Sequence, residues 1–154
     1  MPAAKQFQPE GYNTVMPYLV VKEAAKAIEF YKKVLGATEI MRMPGPGGRI
    51  MHAELRVGDT VIMMADEMPA MNALSPQTVG GTPVGLMVYV KNVDEVFKSA
   101  IAAGAKTERE VADQFYGDRN GTFVDPFGHK WTVGTHVEDV SPEEMKARMA
   151  KMMG

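Results

Sequence analysis

The chain has 154 residues, 45% hydrophobic and 23% charged, which is the composition of a folded protein with a proper core and excludes a disordered one. Its 17 basic and 19 acidic residues leave a net charge of −2, which gives no electrostatic case for nucleic acid as a partner. Cysteine is absent, so disulfides, thiolate nucleophiles and cysteine-held zinc or iron–sulfur centres are excluded.

The N-terminal segment MPAAKQFQPEGYN has no apolar stretch of signal-peptide type, and no run approaches the length of a membrane span. A soluble cytoplasmic protein with no membrane partner is expected. The first element is TVMPYLVV, a β-branched and apolar run that reads as a strand. KEAAKAIEFYKKVLGA follows, with Ala24, Ala27, Ile28, Tyr31 and Leu35 on one helical stripe and Gly36 as its stop. ATEIMRM, RIMHAELRV and TVIMMAD then read as three strands, and PGPGGR as the hairpin connection between the first two. That loop lacks the Gly-Lys-Ser/Thr of a phosphate-binding loop.

EMPAMNALSPQTVGGTP has no strong periodicity and reads as a linker or a mobile flap. After it the pattern repeats. VGLMVYV reads as a strand, and KNVDEVFKSAIAAGA as a helix stopped at Gly104. AKTEREVA, GTFVDP and HKWTVGTH read as three more strands. The chain is therefore two β-α-β-β-β units, about 12–66 and 84–137, in one domain spanning 1–140, of α+β class. Residues 141–154 form a separate amphipathic helix. Ser141 is placed to cap it, Pro142 lies in its first turn, and Glu144 completes a capping box. Met145, Met149, Met152 and Met153 follow at helical spacing. No Gly-x-Ser-x-Gly elbow and no dinucleotide fingerprint are present.

Two such units in this length, with VVKEAAKAIEFYKKVLGA in the first and FVDPFGHKWTV in the second, resemble the vicinal oxygen chelate superfamily (glyoxalase, bleomycin resistance, dioxygenase). The stretch from Asp113 to Met145 is similar to the PhnB-like branch. The resemblance implies a cup-like fold with helices outside and a ligand cavity inside. It also implies a homodimer with the C-terminal helix at its edge. In the family a divalent metal is held by four positions, His, Glu or Gln. They fall here at Met16, Glu54, Gly85 and Thr132. Only Glu54 is a ligand type, so no metal cofactor is expected.

In the middle strand, His52, Glu54 and Arg56 alternate with Ala53, Leu55 and Val57 and so lie on the opposite face. For an isolated strand that face would be solvent. In the cup that the resemblance implies, His52 and Glu54 become cavity wall, and they are the candidate catalytic residues. FYGDRNGT reads as a loop. Tyr116 and Arg119 are candidate ligand contacts on it, with Thr132 beyond, and Asp118 reads as a solvated turn residue paired locally with Arg119. Phe30 and Trp131 read as core. His129 shares a face with Trp131 and Val133, opposite to Thr132, so GHKW marks a turn into the last strand. His136 reads as structural or exposed. Three functions stay open. The first is binding of a small organic molecule in the cup without metal. The second is a glyoxalase-like lyase or isomerase using Glu54 or His52 as base. The third is a non-catalytic interaction module using the C-terminal helix.

Overall fold

Strand β1 (Tyr18–Val21) begins late in its apolar run because Pro17 has no N–H to give to a ladder. The Pro17 carbonyl still accepts from Met63 N at 3.0 Å. Helix α1 (Ala24–Leu35) follows and buries Ala24, Ala27, Ile28, Tyr31 and Leu35, the predicted stripe, together with Phe30 and Val34. It ends at Gly36, whose φ of 65° lies in the left-handed region that glycine enters without a Cβ penalty. Strands β2 (Thr38–Pro44), β3 (Ile50–Val57) and β4 (Thr60–Asp66) complete the first module, with a 3-10 turn at Pro46–Gly48 in the β2–β3 hairpin. The sheet order is β1-β4-β3-β2, with β1 parallel to β4 and the rest antiparallel.

The computed structural model describes residues 1–154 and divides into two compact units, Met1–Gly80 and Gly81–Gly154. The segment between the modules is not a bare linker. It forms a 3-10 turn at Pro69–Met71 and a short helix α2 (Pro76–Val79) capped by Ser75. Glu67 pins it, accepting from Ser75 N at 3.0 Å and from the Thr78 hydroxyl at 2.7 Å. Sequence periodicity misses such a segment because its order comes from caps and side-chain bonds rather than from a repeating apolar face.

The second unit holds β5 (Gly85–Tyr89), α3 (Val93–Ala102), β6 (Lys106–Asp113), β7 (Asp118–Val124) and β8 (Lys130–His136), in sheet order β5-β8-β7-β6. The class is α+β with two βαβββ modules, as expected. The repeat extends to single bonds. Tyr18 lies opposite Met63 just as Met87 lies opposite Thr132. The first N–H of α1 donates to Asp66 Oδ1 at 2.9 Å, and the first N–H of α3 to Thr135 Oγ1 at 3.0 Å.

Each sheet packs one face on its helix. In the first, Ala53, Leu55 and Met64 are fully buried, and in the second Phe123 and Val133. The larger of these, Leu55, Met64, Phe123 and Val133, stabilise by about 1.5–3 kcal/mol each when fully buried. Helix α4 (Pro142–Met153) buries no residue. Ser141 Oγ accepts from Glu144 N at 3.2 Å, so half of the predicted capping box forms, while the Glu144 carboxylate pairs with Arg148 instead. No helix is long and apolar enough to cross a membrane.

Candidate functional site

In the first module the face of the sheet away from α1 carries a connected polar chain. Glu54 is only 4% exposed. Its carboxylate accepts from the Tyr12 hydroxyl through Oε2 and meets His52 Nε2 at 3.0 Å through Oε1. A carboxylate can only accept, so Nε2 carries the proton, and in the neutral ring Nδ1 is free to accept from the Tyr18 hydroxyl at 2.8 Å. Burial pushes the Glu54 carboxyl up, but the bonds from Tyr12 and His52 outweigh it and hold it below its ordinary value. The same contact, with burial, pushes the Tyr12 phenol up. Burial and the nearby Glu54 charge do the same to Tyr18. A carboxylate held ionised by two donors is a firm anchor and a weak proton acceptor.

In the second module the face away from α3 borders an open hollow of about 440 Å3. Its wall takes Gly85, Leu86, Met87 and Tyr89 from β5, Thr132 from β8, Asp118 and Asn120 from β7, Arg109 from β6, and Tyr116. Thr132 Oγ1 lies 2.8 Å from Thr122 Oγ1. Asn120, only 2% exposed, donates through Nδ2 to the Tyr116 hydroxyl at 2.8 Å, and its Oδ1 is a buried acceptor with no partner. Asp118 accepts from the Tyr89 hydroxyl at 2.7 Å and from His136 Nδ1 at 2.8 Å. His136 reaches Asp139 through Nε2, also at 2.8 Å. The Asp118 carboxylate, then Asp139, holds the imidazole pKa above its ordinary value.

Two sequence expectations change here. Asp118 is not a solvated turn residue, since β7 begins at it and it is 4% exposed. Arg119 is not its partner. With period two, Asp118 and Asn120, which line the hollow, share a face with Thr122, and Arg119 faces the other way. Arg119 pairs there with Asp94 of α3 at 2.9 Å and Asp113 at 3.1 Å, so it does not line the hollow. The turn-forming letters of GDRNG hid a strand whose inner set is polar. Tyr116 and Thr132 do line the hollow, and His52 and Glu54 meet in the first module. Tyr12, Tyr18, Tyr89, Arg109 and Asn120 were missed. The alternation of Asp118, Asn120 and Thr122 was the available signal for Asn120.

The GHKW turn is organised by Asp125. Its Oδ1 accepts from Phe127 N at 2.9 Å and His129 N at 3.0 Å, and its Oδ2 accepts from Trp131 Nε1 at 3.0 Å. Trp131 and Val133 point to the core and Thr132 to the hollow, the expected parity.

The register of the repeat also bears on the four metal positions. Glu54 lies opposite Met63, and Thr122 lies opposite Thr132. The first-module counterpart of Thr132 is therefore Met63, and that of Thr122 is Glu54. Read this way, the four positions are Met16, Met63, Gly85 and Thr132, which offer two thioethers, a hydroxyl and no side chain at all. No group of three or more His, Cys, Asp or Glu residues is arranged to hold a metal ion. These residues do not fit a divalent ion.

The family model described as the Glyoxalase/Bleomycin resistance protein/Dioxygenase superfamily matches residues 11–133. An uncharacterized protein of Mycobacterium bovis is 42% identical over 137 residues, 87% of this chain and 90% of its own length. Among solved structures, TioX from Micromonospora sp. ML1 is similar at 25% identity and a TM-score of 0.62, over 84% of this chain and 100% of that one. Protein PA1353 from Pseudomonas aeruginosa has 24% identity and a TM-score of 0.68, over 82% and 99%. The PhnB protein from Bacillus cereus shares the fold at 16% identity, with a TM-score of 0.64 over 80% and 99%.

Proposed function

The chain belongs to the glyoxalase/bleomycin resistance/dioxygenase superfamily, and from that premise we propose that it binds a small organic molecule without the family's metal. The observation that carries this reading is the second-module hollow. At about 440 Å3 it lies in the range of small-molecule sites and combines apolar walls with a few polar groups. Asn120 is among the lining residues, and its buried Oδ1 has no hydrogen-bond partner, which costs about 1–3 kcal/mol. Met16, Met63, Gly85 and Thr132 support the metal-free part. Tyr116 and Thr132, which line the hollow, remain ligand contacts of this reading, while His52 and Glu54 belong to the first module and lie outside its wall; a cytoplasmic homodimer is the setting of this reading.

Metal content of the purified protein, with a thermal-shift screen against divalent ions, tests it. Well under one equivalent of any transition metal and no stabilising ion are expected. One tightly held Zn, Ni, Mn or Fe per chain would overturn the metal-free reading.

A catalytic reading, with His52 or Glu54 as base, is the less favoured one because Glu54 is held ionised by two donors. An interaction role for α4 has one observation behind it: the helix buries nothing and exposes Met149, Met152 and Met153. Ending the chain at Val140 should then change the mass seen by light scattering. An unchanged mass removes that role.

A further inference from the structure

Arg109 is the arginine that lines the hollow, whereas Arg49 and Arg56, which likewise bond only to main-chain oxygens (Glu67 O and Gly11 O), lie outside its wall. Arg42, Arg119 and Arg148 are each paired with carboxylates. Arg109 lines the hollow and is bonded only to neutral oxygens, Asn120 O at 3.5 Å and Thr122 Oγ1 at 3.2 Å. Its orientation comes from the backbone. In β6, Thr107 lies opposite Phe123, whereas Arg109 lies opposite the very next residue of β7, Thr122. Residues two apart on a regular strand share a face. The extra residue is a β-bulge, and it turns Arg109 onto the face of Thr122 while Thr107 stays with Phe123. The first module has the same bulge, with Glu39 opposite Leu55 and Met41 opposite Glu54. The two modules thus share the device and differ in the side chain it delivers, a thioether in one and a guanidinium in the other.

The charge on the hollow follows from its partners. The Asp118 carboxylate is already bonded to Tyr89 and His136. Near Arg109, Thr132 and Tyr116 offer hydroxyls. The Tyr116 oxygen accepts from Asn120, which leaves its own proton to be given. Met87 and Tyr89, 45% and 62% exposed, supply an apolar wall on β5. A planar guanidinium without a carboxylate, flanked by hydroxyl donors and an aromatic-and-thioether wall, matches a carboxylate on a ring-sized apolar body.

We propose that the second-module hollow takes an organic anion of this class, a carboxylate on an apolar body, anchored by Arg109. The inference rests on the small-molecule reading above and narrows it.

The test uses the full chain, two-dimensional amide NMR, and two probes that differ in charge, naphthoate and naphthamide. Both should shift the amides of Gly85, Met87 and Thr132. Naphthoate should bind at least about tenfold tighter, and the preference should shrink as salt is raised. Arg109→Gln should bring naphthoate down to about the level of naphthamide while weakening naphthamide far less, and its dispersed amide spectrum reports that the variant is folded. Arg109→Lys, a point charge without the fork, should fall between. Equal binding of the two probes, or Arg109→Gln leaving the naphthoate preference intact, overturns the anion inference while the small-molecule reading stands. Shifts by neither probe overturn both. Should Arg109→Gln not fold, the wild-type preference and its loss with salt decide the question.

Discussion

Asp125 shows how much one carboxylate can hold at the residue scale. It is 3% exposed and accepts three N–H groups, two from the main chain of the turn and one from the Trp131 indole. Removing it leaves all three donors without that acceptor. Asp125→Ala should therefore cost about 3 kcal/mol of stability in urea unfolding. A loss below about 1 kcal/mol would mean that other groups fix the turn. His136 gives a pH signature of known sign. Its folded-state pKa is raised by Asp118 and Asp139. The stability it contributes is complete below the ordinary histidine value of about 6.5 and is lost as pH rises through the raised value. The urea midpoint should fall across that window, and His136→Gln should flatten that part of the profile. An unchanged slope in the variant would assign the pH dependence to another group.

At the scale of elements, the bulged strand and its neighbour constrain each other. A Cβ on Gly121 would lie 2.9 Å from Val111 N and 3.0 Å from Arg109 O, so the backbone of β6 closes over a position that only glycine fits. Gly121→Ala should push β6 outward, cost about 1–3 kcal/mol, and weaken naphthoate more than naphthamide because Arg109 moves with the strand. Equal weakening of both probes would separate the bulge from the anchor. This arrangement also explains what the sequence could and could not reveal. The stripes on α1 and α3 and the apolar strands were legible because burial writes a period of 3.6 or 2 into the chain. Arg109 was not, since a bulge breaks that period without leaving a turn residue behind. Asp118 and Asn120 were read as loop because a polar strand facing a hollow has the composition of a turn. The chain from Tyr12 to Glu54 joins residues 42 positions apart, a separation no local pattern carries.

On the whole-molecule scale, the repeat is the firmest feature. Two modules share sheet order, the parallel pairing of first and last strands, the bulge in the edge strand, and a side-chain acceptor for the first N–H of the helix. The same backbone presents different chemistry on its two open faces. The first module has an ionised, fully bonded Glu54, and the second has an Arg109 without a carboxylate. Neither face offers a set of donors for a divalent ion. The chain thus retains the family's architecture.

The most direct test is a crystal structure of the protein soaked with naphthoate, with anomalous maps recorded at the zinc, nickel, manganese and iron edges. The account predicts ligand density on the open face of β5 and β8, its carboxylate at Arg109, with no anomalous peak. A full-occupancy metal peak beside Glu54, Met63 or Thr132, with the ligand bound to it, would contradict it.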